Sequence, residues 1–481
     1  MHAELTKGVN MSELQRFSMS IDGGSVGSEY FSVINPATEK PFAEAPSATK
    51  DEIDAAFAAA DKAFVDWSVD DEARQIAMRK AAEVVTAHVD ELAALLVSEQ
   101  GKPLADAIGE VHGTAAWISY FADVEIADKE YITPGEVAQV RLPLGVVAAI
   151  TPWNYPVIQA AWKFAPALRA GNTVVLKPSP YTPIATLRLG ELLQDAFPAG
   201  VLNIVSGGDE VGVALTKHPT TAMVSFTGST SAGKSVAKAV ADDLKRVTLE
   251  LGGNDPAIVL DDIDIAKAAE DLFWGAFVNN GQVCGAAKRV YVPESIYGAV
   301  ADALADVAAG VKVGAGDAAD VRLGPINNRA QYDRVNGLLE SAVAGGATVR
   351  AGGNRVGEDG YFLEPTILTD VPAGSAIIDE EQFGPVVPLV SYTDLDAVIA
   401  EVNNSKYGLG GSVWSADANR ALAVGRRLRV GTVYINGHAI NHGPHVPFGG
   451  ARWSGIGVEN GLAGLEEYTQ RQIIYGNGAD L

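Results

Sequence analysis

One cysteine stands in 481 residues, so no internal disulfide can form and nothing ties the chain to an oxidising compartment. Long apolar runs are missing too. The longest, such as GVVAAI (145–150) and PAIVL (256–260), fall far short of the ~20 residues needed to span a bilayer. The opening MHAELTKGVNMSELQRF has no apolar core and no small-residue cleavage site, so no secretory signal is expected there. Positive charge is scarce. With 36 Lys and Arg against 60 Asp and Glu, the net charge is −24, which argues against nucleic acid or an anionic membrane as partner. These absences leave a cytoplasmic globular protein as the expectation.

What is present fits that class: 47% hydrophobic and 20% charged residues, in a length that suggests about two to four structural units. Fifty-one glycines imply many tight turns or close backbone approaches. Residues 1–28 are polar and glycine-punctuated, which reads as a loose arm leading into a short strand. Thr49 and Glu52 form a capping-box pattern that opens a helix to about Trp67. A further helical stretch covers about 71–100 and stops at Gly101–Lys102–Pro103. From 144 onward the texture alternates. VVAAI, TVVLKP, VLNIVSG, AMVSFTG, VTLELGG and PAIVL are short apolar runs, and helical patterns separate several of them, as crossover units on a mainly parallel sheet require. A second alternating region runs from about 256 to 445, with helices expected near 264–280, 295–310, 328–345, 394–403 and 416–428. EEYTQRQIIYG near the C-terminus can form a strand.

GSTSAGKS (228–235) matches the P-loop pattern G-x-x-x-x-G-K-[ST] between a strand and a helix. With Asp261 as a metal-binding carboxylate, it opens the reading of a P-loop ATPase or kinase. The simpler reading is a glycine-rich helix start that binds nothing, and G-x-G-x-x-G is absent. The cysteine itself, in NNGQVCGAAKR (279–289), is either a small buried hydrophobe or a nucleophile. Its small and polar neighbours, in a turn-like stretch, leave space for something to reach the sulfur.

TPWNYP (151–156), LKPSPYTP (176–183), SFTGST (225–230), LELGGNDPAIV (249–259), GQVC (281–284), EEQFGPVVP (380–388) and PFGG (447–450) with Ser454–Gly455 occur in one order. In that order they resemble the aldehyde dehydrogenase superfamily. The resemblance implies an α/β fold of two mainly parallel domains. A Rossmann-like cofactor domain would comprise 1–124 and 144–251, and a catalytic domain 252–453. Residues 125–143 and 454–481 would form an oligomerisation arm and C-terminal tail, in a homodimer or homotetramer. It further implies NAD- or NADP-dependent oxidation of a small aldehyde to the acid. Cys284 would be the nucleophile, passing through a thiohemiacetal and a thioester. Asn154 and the Cys284 N–H would stabilise the oxyanion, Glu250 would activate water, and Glu459 would be a second glutamate near that water.

The resemblance also implies cofactor contacts at Trp153, Lys177, Ser179, Thr227, Gly228, Ser229, Glu381 and Phe383, and no metal. The corresponding substrate-tunnel positions are Tyr155, Gln159, Trp162, Val283, Gly285 and Phe448. Pro180 stands where NAD-preferring members often carry a glutamate that repels a 2′-phosphate, so NAD with NADP as a second acceptor is expected. A CoA-acylating semialdehyde dehydrogenase is the nearest alternative, and the presence of Glu250 speaks against it. His438, His442 and His445 raise a zinc site, but their proline- and glycine-broken stretch places them instead at the tunnel entrance or on the surface.

Overall fold

A computed structural model of the chain describes residues 14–126, 129–439 and 443–479. The Thr49 capping box is present: the Glu52 N–H donates to Thr49 Oγ1, and the Thr49 N–H donates to a Glu52 carboxylate oxygen at 2.8 Å. It starts the helix Lys50–Trp67, whose Ile53, Ala56, Phe57 and Ala60 are buried. The helical stretch expected over 71–100 is two helices, Asp71–Ala87 and Val89–Glu99. His88 breaks them apart, leaving helical geometry while its Nδ1 donates to the Val84 carbonyl at 2.8 Å.

The apolar runs become strands of two sheets. In the first, five parallel strands lie in the order Arg246–Glu250, Thr221–Thr227, Val146–Ile150, Thr173–Lys177 and Leu202–Ile204. The strands from 146 and 173 are buried along their whole length, as expected where both faces of a parallel sheet are covered. Antiparallel strands extend both edges. Gly455–Ile456 pairs with Arg246–Glu250, while Met19–Ile21 pairs with Leu202–Ile204 and Gly24–Val26 with Met19–Ile21. The arm expected over 1–28 is therefore ordered from residue 14, because Phe17, Met19 and Ile21 alternate inward into the core. Residues 1–13 lie outside the described chain.

The second sheet has the order Thr348–Ala351, Thr366–Thr369, Val386–Tyr392, Ala287–Pro293, Asp255–Val259, Gly410–Trp414, Thr432–Ile435, parallel except at its first pair. The helices expected here form as Ile265–Phe277, Tyr297–Ala309, Arg329–Ala344, Leu395–Asn403 and Ala418–Gly425. A third sheet joins Thr469–Tyr475 to Val137–Pro143 and Lys129–Thr133.

The order of the first sheet fixes where a site can form. From the strand at 146 the chain moves outward through 173 and 202, then returns to the other side at 221. That switch opens a crevice beyond the carboxyl ends of the 146 and 221 strands. The amino edge of the second sheet is held against that side: the Asn154 Nδ2 donates to the Gln282 carbonyl at 2.8 Å, and the Gly253 N–H donates to Glu381 at 3.0 Å.

Candidate active site

Cys284 follows an unusual turn. Asn279, Asn280 and Gly281 all take left-handed backbone angles, with φ of 49°, 60° and 70°. A Cβ at Gly281 would collide with the Gly384 carbonyl, so glycine is required there. The Gln282 side chain locks the loop: its Nε2 donates to the Asn279 carbonyl and its Oε1 accepts from the Asn327 N–H. Lys288, buried one strand-start later, donates to the carbonyls of Gly281 and Val283 at 2.9 and 2.6 Å. The loop thereby opens the cysteine into a cavity of about 230 Å³, whose walls include Asn154, Tyr155, Gln159, Trp162, Val283, Gly285 and Phe448. All the tunnel positions expected from sequence meet there.

Burial pushes the Cys284 thiol up to about 12, with the charges of Glu250, Glu381 and Asp255 adding to the effect and Lys288 opposing it. Glu250 closes the Arg246–Glu250 strand and is buried, with neither carboxylate oxygen hydrogen-bonded to a described residue. Desolvation, then the charge of Glu459, raises it well above the ordinary glutamate value, against the pull of Lys163. Lys163 pairs with Glu459. Its Nζ donates to Glu459 Oε1 at 2.5 Å and to Thr227 Oγ1 at 2.7 Å, while Glu459 Oε2 has no partner among the described residues. Asn154 has one amide hydrogen on Gln282, which leaves its second hydrogen for another acceptor. Lys102 and Glu110 hold Asn154 from behind. Lys102 Nζ donates to the Asn154 carbonyl at 3.0 Å and to Glu110 at 2.6 Å, and Glu110 caps the helix Pro156–Arg169 through the Val157 N–H.

The crevice carries the other expected residues. Lys177 ends its strand buried, its Nζ donating to the Pro178 carbonyl at 3.1 Å. Burial lowers it to about 8 although Asp209 and Glu210 oppose the shift. Ser179, also buried, accepts from the Tyr181 N–H. Thr227 ends the neighbouring strand, Gly228 follows, and Ser229 caps the helix Thr230–Ala241 by accepting from the Ala232 N–H. Across the crevice, Trp153 meets Phe383 edge-on at 5.2 Å. Glu381 is raised to about 7 by desolvation, with Lys288 and the Gly253 N–H pulling the other way.

The P-loop reading fails on this geometry. The helix begins at Thr230, so Gly233 is inside it, packed on Leu251. Lys234 lies over the Trp453 ring at 3.2 Å, and Asp261 pairs with Arg420 beyond the opposite edge of the second sheet. Neither Gly233 nor Lys234 is therefore placed as a triphosphate-cradling loop requires. The histidines separate as well. His445 is exposed and His442 lies outside the described residues. His438 is buried, neither at the entrance nor on the surface. Trp414 Nε1 donates to Ser412 Oγ, which is also hydrogen-bonded with His438 Nδ1 at 2.7 Å. The other ring nitrogen, Nε2, faces Asp255 at 3.9 Å. Burial lowers this imidazole to about 3, so it is neutral.

The model of the aldehyde dehydrogenase family matches residues 24–474. The chain belongs to the aldehyde dehydrogenase family. Among curated aldehyde dehydrogenases, it is 40% identical to the phenylacetaldehyde dehydrogenase of Pseudomonas fluorescens, over 92% of this chain and 91% of that protein. It is 41% identical to the glutarate-semialdehyde dehydrogenase of Pseudomonas putida, over 92% and 93%. Among solved aldehyde dehydrogenases, the NAD+ complex of the Bacillus cereus enzyme superposes with a TM-score of 0.92 at 37% identity, over 96% of each chain.

Lys102, Glu110, Lys163 and Lys288 went unread in the sequence. Lys163 had a signal, a lone lysine inside the apolar run AAWKFAPAL. Lys102 sits in what reads as a helix stop, and nothing local marks its second task.

Proposed function

We propose that this aldehyde dehydrogenase oxidises an aldehyde to its carboxylic acid through an acyl group carried on Cys284, with NAD as acceptor and NADP as a second one. The observation that carries the reading is a thiol and an amide with a spare hydrogen on one cavity, with the charge of Glu250, a buried carboxylate whose oxygens have no partner among the described residues, reaching that thiol. The crevice suits a dinucleotide. Lys177 is a buried ammonium with no carboxylate at ion-pair distance among the described residues, and Gly212 beside it leaves room that a larger side chain would take. The Thr230–Ala241 helix turns its N-terminus, with Gly228 and Ser229, toward the same place, as a pyrophosphate requires. Lys177 and Ser179 would hold the adenosine end, and Glu381, Phe383, Trp153 and Thr227 the nicotinamide end. When bound, the dinucleotide supplies the acceptor for the hydride.

The chain's own residues perform the rest. Cys284 sulfur gives up its proton to water and bonds as thiolate to the carbonyl carbon, whose C=O π electron pair moves onto the oxygen. The oxygen that becomes negative is met by the spare Asn154 hydrogen and the Cys284 N–H. After the carbon loses its hydrogen with both electrons, a thioester remains. Glu250 takes a proton from water, the hydroxide adds to the thioester carbon, and the carbon–sulfur bond breaks, the sulfur taking that proton back from Glu250, to release acid and thiol. Glu459 raises Glu250 and Lys163 restrains that rise, so this carboxylate is a stronger base than an ordinary glutamate.

We assign 1–124 with 144–251 to the cofactor and 252–453 to catalysis. Residues 125–143 and 454–481 are the arm and tail, and we place the protein in the cytoplasm. Exposed Ile132, Leu142, Ile473 and Tyr475 on the third sheet support a homodimer or homotetramer. No helix among the described residues is long and apolar enough to cross a membrane. Glu250→Gln tests the mechanism. The expected result is about one equivalent of reduced cofactor per active site, then steady turnover lowered by ~10²–10⁴. Unchanged steady turnover would remove Glu250 from the reaction.

A further inference from the structure

Relatives of nearly equal identity are named for an aromatic aldehyde and for a carboxylated semialdehyde, so kinship alone does not choose a substrate. The cavity does. Its described walls hold no Asp, Glu, Lys, Arg or His. Two buried ammonium groups lie behind the walls and both are engaged: Lys102, 3.7 Å from the Tyr155 ring centroid, by Glu110 and the Asn154 carbonyl, and Lys288 by the carbonyls of Gly281 and Val283. A substrate carboxylate would lose its water here and gain no cation.

The size is that of one ring with a substituent: a cavity of ~150 Å³ holds benzene, and this one measures about 230 Å³. Trp162, Phe448 and Tyr155 supply aromatic faces, with Trp162 stacked on Trp117 at 5.5 Å and edge-on to Phe448 at 6.0 Å. The walls are not purely apolar, however. Gln159 lines the cavity from the helix Pro156–Arg169 with its Oε1 buried and unpartnered among the described residues, and Trp162, one turn on, has its Nε1 in the same state. Buried polar atoms without partners are uncommon in a settled interior. A side-chain amide can turn to offer either its oxygen or its NH2. The Tyr155 and Tyr434 phenols at the same wall are held in their neutral form by burial.

We infer that the substrate is an uncharged aromatic aldehyde whose ring bears a neutral hydrogen-bonding group such as a hydroxyl, taken up by Gln159, and not a carboxylated semialdehyde. This rests on the reading of the site as an aldehyde-oxidising one. The aldehyde carbon faces Cys284 and the ring occupies the aromatic section. The hydroxyl donates to the Gln159 amide oxygen or accepts from its NH2.

The test measures kcat/KM with NAD+ for 4-hydroxybenzaldehyde, benzaldehyde and succinate semialdehyde. The hydroxylated ring should exceed benzaldehyde by about tenfold and the semialdehyde by on the order of 10²-fold or more. In Gln159→Met, a change of similar volume, the ratio of hydroxylated to plain ring should collapse toward one, with a thermal melt verifying the fold. If that variant does not fold, the wild-type ratios decide alone. A semialdehyde used as well as the ring, or a plain ring used as well as the hydroxylated one, overturns the inference. Oxidation of none of the three, together with no oxidation of short aliphatic aldehydes, would instead sink the aldehyde-oxidising reading itself.

Discussion

Two lysine–glutamate pairs are buried along the helix Pro156–Arg169, and they differ in one respect. In the first, Lys102 and Glu110 are wholly enclosed, and every oxygen of the acid has a donor: Lys102 on one side, the N–H groups of Val157 and Ile158 on the other. In the second, Lys163 and Glu459 are equally enclosed, but Glu459 keeps one oxygen unpartnered and its charge acts on Glu250. A satisfied pair holds backbone in place. The unsatisfied one leaves its charge beside Glu250, whereas the charge of Glu110 reaches Glu99 and Tyr155. The difference separates a clamp from a source of electrostatic tuning, although sequence shows the same two residue types in both.

Breaking the clamp should have the largest effect. Lys102→Met strands Glu110 as a buried uncompensated charge, and a loss of ~3–5 kcal/mol is expected in urea unfolding. A loss below ~1 kcal/mol would show that this pair is not the anchor described.

Changing the second pair should act mainly through pH. Glu459 raises Glu250, so Glu459→Gln should move the acid limb of the kcat profile to lower pH. Lys163→Met should move it to higher pH, because Lys163 lowers Glu250. In the proposed mechanism the base form is the active one. On the acid side, each unit of displacement therefore changes the active fraction about tenfold. Shifts in the same direction for both variants would contradict the coupling.

The smallest effect is reserved for a lysine outside both pairs. Lys234 rests on Trp453, so Lys234→Ala should cost ~0.5–1 kcal/mol of stability. Mg-ATP protection against thermal unfolding that vanishes in this variant would revive the triphosphate reading.

Much of the fold was legible because its strands are apolar runs bounded by glycine, proline and asparagine, and the Thr49–Glu52 cap is a local signal with a local cause. The break at His88 was not, since nothing in TAHVDE interrupts helical periodicity. The ordered strands before residue 28 were hidden for another reason. Their inward residues are only three, and the partner strand at Leu202–Ile204 lies far along the chain. At the site, the motifs placed the residues that line the cavity and crevice. The residues behind them, Lys102, Lys163 and Lys288, make contacts set wholly by tertiary packing. His438 shows the limit in the opposite sense: three nearby histidines suggested a cluster, yet this one turns inward to Ser412 and Asp255.

The turn before Cys284 has one further consequence. Gly281 lies so close to Gly384 that not even a methyl group fits between the two backbones, and Phe383, the next residue back, is itself held at a φ of 51°. The strip of chain presenting the sulfur and the strip presenting the aromatic ring of the crevice are thus fastened like two leaves of one hinge plate. Neither can advance toward the other. The spacing between the two half-sites is set before any small molecule arrives.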